Sequence, residues 1–137
     1  MVITILVSFT LIALSGLHVY WASGGRWWLD RAIPEISGRP MFEFGPIGAL
    51  VVAAGLLGIG LTAGLRGFQL VEQHAGSPSH WACLAFAIVF SLRAVGDFRV
   101  AGFFKRIRST TFATWDTLVY TPLCVALGAG LFYICTL

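Results

Sequence analysis

Four long apolar segments constrain the fold of this 137-residue chain more than any other feature of its sequence. About 20 predominantly apolar residues are needed for an α-helix to cross the hydrocarbon core of a bilayer. The segments that meet this requirement cover approximately residues 2–22, 45–65, 80–100 and 115–137. Pro122 lies in the fourth segment, where a proline disturbs the helix one turn earlier. The sequence therefore predicts an all-α fold, with a single domain over residues 1–137 that forms a four-helix bundle within a membrane.

The composition agrees with a membrane protein and argues against several other classes. Hydrophobic residues make up 58% of the chain and charged residues only 11%, whereas soluble domains carry about 25% charged residues. The net charge of +3 is too small to indicate a nucleic-acid-binding surface. Cys83, Cys124 and Cys135 show neither a CxxC motif nor a metal-ligand spacing. We therefore expect the lipid bilayer as a partner, and no nucleic acid, metal or cofactor. Pairing of Cys83 with Cys135 and the oligomeric state are left open.

The distribution of basic residues predicts how the bundle is oriented. The first and third interhelical loops share one side and hold Arg26, Arg31, Arg39, Lys105, Arg106 and Arg108, with Arg99 at the boundary. The second loop holds only Arg66. Because cytoplasmic loops carry the excess of Lys and Arg, both termini are predicted to lie on the non-cytoplasmic side. Taken singly, the basic residues of the third loop, Lys105 included, are interpreted as facing lipid head groups.

Ionisable residues on three of the segments fall at a similar depth, near the cytoplasmic end. His18 is on the first segment, Arg93 and Asp97 are on the third, and Asp116 and Tyr120 are on the fourth. A charge at the bilayer centre costs about 3 kcal/mol, so such residues indicate a functional site. Residues four apart share one face of a helix, which predicts an ion pair between Arg93 and Asp97. A purely structural role for that pair is the alternative.

An apolar pocket that holds carboxyl groups favours proton transfer to a lipophilic substrate. Burial raises the pKa of a carboxyl group, and the neutral acid is a proton donor. Aromatic faces stabilise cations, so protonation of an alkene or epoxide and passage through a carbocation would suit such a pocket. The candidate catalytic residues are Asp97, Asp116, Arg93, His18 and, from the loop before the second helix, Glu43. The candidate substrate-binding residues are Tyr20, Trp21, Phe98, Trp115 and Tyr120.

Three stretches carry a resemblance to a known family. They are HVYWASGGRWW (18–28), RAVGDFRVAGFFKR (93–106) and TTFATWDTLVYTPLCVALG (110–128). Together they resemble a family of small bacterial four-helix membrane proteins that is classified mainly as a domain of unknown function. Small membrane-bound terpene cyclases of bacterial indole-terpenoid pathways look similar to its members.

The resemblance implies a bacterial inner (plasma) membrane protein that carries out proton-initiated cyclisation of a prenyl chain attached to an aromatic group. The acid positions would fall on Asp97 and Asp116, with His18 and Arg93 beside them. The expected partner is a lipophilic small molecule, either a prenylated aromatic or another isoprenoid. A sterol or isoprenoid isomerase is the alternative enzyme, and a small transporter or a structural membrane subunit is the alternative from another class.

The orientation can be tested with a topology reporter. A reporter fused after Leu137 is expected to read as periplasmic or extracellular, because loop Lys and Arg residues favour the cytoplasm. The same reporter inserted in the third loop is the matched control and should read as cytoplasmic. A cytoplasmic signal from the fusion after Leu137 would reverse the predicted topology.

Overall fold

The computed structural model describes residues 1–41 and 45–137, and four helices in this part of the chain are long and apolar enough to cross a membrane. Helix α1 (Val2–Ala22) is followed by a short helix α2 (Leu29–Ala32) and an antiparallel pair of strands, β1 (Glu35–Ile36) and β2 (Arg39–Pro40). Helices α3 (Pro46–Gly67) and α4 (Pro78–Val95) are the second and third spans. The fourth span, Thr111–Cys135, consists of α5 (Thr111–Trp115), a π-helical turn (Asp116–Tyr120) and α6 (Thr121–Cys135). The prediction of an all-α bundle with four membrane-spanning helices is confirmed.

Two helix boundaries differ from the prediction, and both differences affect the site. The third span ends at Val95 instead of residue 100, because Gly96 has a φ of 92°, which a right-handed helix does not allow. The fourth span begins at Thr111 instead of residue 115. Its start is capped by Thr110, whose hydroxyl accepts a hydrogen bond from the backbone N–H of Ala113 at 3.0 Å. Asp97 therefore lies outside the third helix, and Asp116 lies one turn inside the fourth.

The spans pack mainly as two antiparallel pairs, α1 with α3 and α4 with α6. Small residues allow the close approach within each pair. A Cβ atom at Gly60 of α3 would lie 3.1 Å from the side chain of Ile12 on α1, and one at Gly128 of α6 would lie 3.0 Å from the Ser91 hydroxyl on α4. The buried core between the pairs includes Val7, Leu11, Leu56, Ile59, Cys83, Ala87, Leu127, Leu131 and Ile134. The three cysteines are free.

Large apolar side chains cover the outside of the bundle. Phe9, Val51, Leu92 and Leu118 are each more than 60% exposed. Such extensive apolar exposure on long helices matches a lipid environment, in which these side chains contact acyl chains instead of water. The protein is therefore an integral membrane protein.

The terminal end of the bundle, where Met1, Leu137 and the second loop meet, is held by the side chain of Arg66. This side chain is only 1% exposed. All three guanidinium nitrogens donate hydrogen bonds, and the acceptors are the carbonyl oxygens of Glu72, Gln73, Ile134 and Cys135 and the hydroxyls of Ser77 and Ser79. A cation is also favourable beside the C-terminal carbonyls of a helix, here those of α6. Arg66 thus ties α3, the second loop and α6 together.

Replacement of Arg66 by Met is expected to destabilise the protein. The change keeps the apolar stem but leaves several buried acceptors without donors, at a cost of at least about 2 kcal/mol in the free energy of unfolding. Arg26→Met, at an exposed position, is the matched control and should change little. Thermal unfolding of both variants in detergent, followed by circular dichroism, measures the difference. Equal midpoints for the two variants would contradict the role given to Arg66.

Candidate functional site

A completely buried carboxylate, Asp116, lies near the end of the bundle that carries the first and third loops. Its Oδ1 accepts a hydrogen bond from Nη2 of Arg93 at 2.8 Å. Its Oδ2 accepts from Nζ of Lys105 at 2.9 Å, from the backbone N–H of Gly102 at 2.8 Å and from the hydroxyl of Thr121 at 3.2 Å. Two cations and two neutral donors therefore stabilise one anion, which is the arrangement that a charge buried in a membrane protein requires.

The π-helical turn brings Asp116 and Thr121 to the same side of the fourth span. Residues five apart align in a π-helix, whereas an α-helix aligns residues three or four apart. Pro122 explains why the widened turn falls here, because proline has no N–H to donate to the preceding turn. The irregularity predicted ahead of Pro122 is thus confirmed. Turns of this kind occur frequently at functional sites.

The loop after α4 places the N–H of Gly102 against Asp116. Gly96 and Gly102 both have positive φ angles, 92° and 84°, and a Cβ atom at either position would overlap the backbone of the other. Glycine is therefore required at both ends of this loop. The carboxylate of Asp97 organises the residues between them, since its Oδ1 accepts from the backbone N–H groups of Arg99, Val100 and Ala101 at 2.8–3.0 Å.

The predicted ion pair between Arg93 and Asp97 is wrong. Arg93 pairs with Asp116, and Asp97 is exposed in the loop because α4 ends before it. Desolvation acts to raise the pKa of Asp97, but the hydrogen bonds from the Ala101, Arg99 and Val100 N–H groups outweigh it and the net pKa is lowered. A carboxylate with a lowered pKa stabilises the folded loop above its unfolded pKa and loses that contribution as the pH falls through the folded value. Asp97 is thus a loop-forming residue in this structure.

Three donors to Asp116, namely Lys105, Gly102 and Thr121, were not among the predicted site residues, and Lys105 is the charged one. It was expected to face lipid head groups, yet its side chain is 2% exposed and its ammonium group contacts Asp116 and the carbonyl oxygen of Gly102. The lysine lies in an irregular loop, so no helical spacing relates it to Asp116. The one available signal was the acid itself, because a buried carboxylate between spans requires cationic partners.

A cavity of about 420 Å³ lies beside this cluster, between α1, α2, the end of α4 and the fourth span. Four of the predicted site residues line it, namely His18, Trp21, Arg93 and Tyr120. The rest of the lining is largely apolar and includes Leu14, Trp28, Ile33, Phe90, Phe112, Leu123 and Leu127. A mostly apolar concave site with a few polar groups is typical of a small-molecule binding site.

The remaining predicted residues lie around or away from the cavity. Trp115 packs edge-on against Trp28, with ring centroids 4.5 Å apart, and so supports the wall from behind. The hydroxyl of Tyr20 accepts a long hydrogen bond from the Trp27 N–H, and the Tyr20 side chain does not line the cavity. Phe98 is exposed and stacks on Phe104 of its own loop, so it does not line the cavity either. Glu43 lies outside the described residues.

Hydrogen bonding fixes the chemical character of the two polar rings in the cavity. Nδ1 of His18 lies 2.8 Å from the carbonyl oxygen of Leu14, and because a carbonyl oxygen only accepts, Nδ1 carries a proton. In the neutral ring, Nε2 then bears the lone pair and is a base. The hydroxyl of Tyr120 donates to the Arg31 carbonyl oxygen and accepts from the Trp28 indole N–H. Both hydrogen bonds of the Tyr120 hydroxyl are therefore made to residues in or next to α2, and they hold this short helix in place.

Arg93 presents the cationic group of the cavity. About a third of its side chain, 36%, is accessible. Its Nη1 is covered but has no hydrogen-bond partner among the described residues. With Arg93 and Lys105 each at +1 and Asp116 at −1, the cluster carries a net charge of +1.

These features define a four-helix integral membrane protein with an aromatic cavity beside a buried charge cluster. The chain belongs to the family described as "Protein of unknown function (DUF3995)", which matches residues 11–131. The predicted membership of a family of unknown function is thereby confirmed. No curated protein and no solved structure matches the chain.

Replacement of Asp116 by Asn is expected to destabilise the protein strongly. Two cations, Arg93 and Lys105, would lose their anion, and breaking a buried ion pair in this way costs about 3–5 kcal/mol. Asp97→Asn is the matched control, because it removes the charge of an exposed loop carboxylate while the asparagine side-chain oxygen can still accept the hydrogen bonds of the loop N–H groups. Thermal unfolding in detergent measures both variants. A larger loss for Asp97→Asn than for Asp116→Asn would contradict the assignment of Asp116 as the centre of the cluster.

Proposed function

We propose that this protein is a membrane-embedded acid/base enzyme that acts on a lipophilic, isoprenoid-like molecule. The observation that carries the proposal is the aromatic cavity itself, in which one histidine and one arginine face a predominantly apolar space. His18 would transfer the proton, and Arg93 would hold the polar end of the substrate. The indole and phenyl faces would bind the hydrocarbon part.

Isomerisation of a double bond is the reaction that this arrangement favours. Nε2 of His18 would remove a proton from an allylic carbon that is conjugated with the polar end of the substrate, where Arg93 would stabilise the negative charge that develops. The imidazolium would then return a proton to another carbon of the same conjugated system. The substrate and product then have the same mass, and the histidine returns to its starting state. This reaction was the alternative predicted from the sequence.

Proton-initiated cyclisation stays a prediction with weaker support. It requires a strong acid in the cavity, and among the described residues, which do not include Glu43, the buried carboxylate near it is Asp116, an ion-paired anion with four hydrogen-bond donors. A carbocation would also form beside a cluster whose net charge is +1. The aromatic rings favour a cation, but the adjacent guanidinium opposes it.

The place of the enzyme in the cell follows from the sequence predictions. The family resemblance implies a bacterial inner membrane, and the excess of Lys and Arg in the first and third loops supports an orientation with this cavity toward the cytoplasm. The rival functions are transport and a purely structural role. The cavity lies near one end of the bundle, and its lining is mostly apolar, which favours a lipid-binding site over a polar conduction path.

The proposal predicts that purified protein exchanges hydrogen with an isoprenoid substrate. Prenylated indoles and linear isoprenoids are incubated with the protein in D₂O and examined by mass spectrometry and NMR. Isomerisation incorporates deuterium at a defined carbon, and the products formed in H₂O have unchanged mass. His18→Gln is expected to lower this rate about a hundred- to ten-thousand-fold, the usual contribution of a general base.

The matched control for this experiment is His74→Gln, which makes the same change at an exposed histidine in the second loop. It should leave the rate unchanged. Equal rates for His18→Gln and the wild type, with both proteins folded, would exclude His18 as the proton-transferring group. No exchange with any substrate tested would favour the structural role.

A further inference from the structure

We propose that the cavity and the groove next to it bind a single-chain lipid whose head group carries one negative charge. The head group would lie beside Arg93, and the hydrocarbon tail would lie between α1 and α6. The inference rests on the proposed function in that this lipid would be the substrate of the enzyme. It adds the charge, the shape and the placement of that substrate.

The charge of the cluster is the first argument. Asp116 is shared by two cationic partners, so among the described residues the cluster has one positive charge more than it has negative charges, and of the two cations Arg93 is the one that reaches the cavity. An uncompensated charge is unfavourable in apolar surroundings. Arg31, the other basic residue nearby, is adjacent in sequence to Asp30 and packs its guanidinium on the rings of Trp28 and Trp115. A ligand with one negative charge would make the site beside Arg93 neutral.

The hydrogen-bonding capacity of Arg93 is the second argument. Its Nη2 is engaged by Asp116, whereas Nη1 has no partner among the described residues. Buried polar groups in folded proteins nearly always have partners, so an unsatisfied donor of a charged group indicates a missing acceptor. A carboxylate or phosphate oxygen that enters the cavity supplies that acceptor after a modest shift of the partly accessible side chain.

The shape of the adjoining space is the third argument. A second cavity, of about 410 Å³, shares Leu123 and Leu127 of α6 with the first and continues toward the termini. On α1 it is lined by Ile3, Leu6, Val7 and Thr10, which continue the stripe that includes Leu14, Leu17 and Trp21 in the first cavity. These positions recur every three or four residues, so they form one face of the helix. The two cavities therefore adjoin at Leu123 and Leu127, and a ligand that occupies both would lie in one groove along the seam between α1 and α6.

The dimensions of this groove suit one extended chain. Trp21 and Ile3 bound it on α1 and lie eighteen residues apart, which corresponds to about 27 Å of helix. Exposed residues such as Leu6 and Tyr133 stand at its edges, so the groove opens toward the surrounding lipid. A linear isoprenoid can enter from the bilayer with its head group at Arg93.

The test measures binding and does not depend on turnover. The protein is placed in nanodiscs of phosphatidylcholine, and farnesyl phosphate, farnesoate and farnesol are titrated while the intrinsic fluorescence of the cavity tryptophans is recorded. The three probes share one tail and differ in the head group. The two anions are expected to bind about ten- to a hundredfold more tightly than the alcohol, as a charge-assisted hydrogen bond implies. Farnesoate carries one negative charge and farnesyl phosphate about 1.5 to 2 at pH 7. Their order therefore shows whether a monoanionic carboxylate or a phosphate is the preferred head group.

Two variants at one position show whether Arg93 causes the preference. Arg93→Gln removes the charge and should abolish the difference between the anions and farnesol, with little effect on farnesol itself. Lys105 still pairs with Asp116 in this variant, which favours folding. Arg93→Lys keeps the charge and should keep most of the preference. Equal affinity of farnesol and the anions in the wild type, or an unchanged preference in a folded Arg93→Gln protein, would overturn the inference.

A membrane phospholipid is a second source of the same head-group chemistry. The titration is therefore repeated in nanodiscs that contain phosphatidylglycerol. Undiminished binding of farnesyl phosphate supports the single-chain assignment, whereas strong competition overturns it in favour of a phospholipid.

The test of this inference is separate from that of the proposed function. His18→Gln should keep the preference for the anionic probes while it loses hydrogen exchange with the substrate. If the wild-type protein exchanges hydrogen with the substrate but does not prefer the anionic probes to farnesol, only this inference is contradicted. If it prefers the anionic probes but shows no hydrogen exchange, only the proposed function is contradicted.

Discussion

The ion cluster around Asp116 is the constraint on which the functional end of the structure depends. A carboxylate without exposure to water requires donors on all sides, and this one receives them from α4, from α6 and from two positions of the third loop. The requirement explains the π-helical turn, which aligns Thr121 with Asp116. It also explains the loop closed by two glycines, which aims one backbone N–H at the carboxylate. The position of Arg93 at the cavity wall is a consequence of the same pairing.

The regular part of the fold was predictable because it depends on the local pattern of apolar residues. Four segments of sufficient length specify four membrane helices, and Pro122 specifies an irregularity in the fourth. The similar depth of His18, Arg93 and Tyr120 was predicted from their positions within these segments, and all three line one cavity. The depth of a residue along a helix is its distance in residues from the helix end multiplied by a constant rise, so it can be read from the sequence.

The irregular part of the site was not predictable by these means. The spacing rule that pairs Arg93 with Asp97 assumes that the helix continues, and Gly96 ends it. The true partner, Asp116, comes from another span, and no periodicity relates the two residues. Lys105 presents the same difficulty, because the sequence of a basic loop does not distinguish a lysine that faces lipid head groups from one that turns inward. The contacts of Arg93 and Lys105 with Asp116 depend on a loop with positive φ angles and on backbone N–H donors, and the hydropathy pattern of the sequence does not reveal either feature.

Two arginines at the ends of the bundle, the buried Arg66 and the partly accessible Arg93, differ in how completely their donors are used. Arg66 and Arg93 occupy opposite ends of the bundle, and each is drawn inward by acceptors. Every nitrogen of the Arg66 guanidinium has an acceptor, most of them carbonyl oxygens that are fixed by the fold, so the group is saturated. Arg93, which lines an apolar cavity, shares the Asp116 carboxylate with Lys105, and its covered Nη1 has no acceptor among the residues that the structure describes. A donor left unsatisfied by the fold is retained at a stability cost, and the protein gains from it only when a ligand supplies the acceptor. The difference in saturation, rather than the presence of charge, is therefore the reason for proposing a ligand at the Arg93 end of the bundle and a role in closing the fold at the Arg66 end.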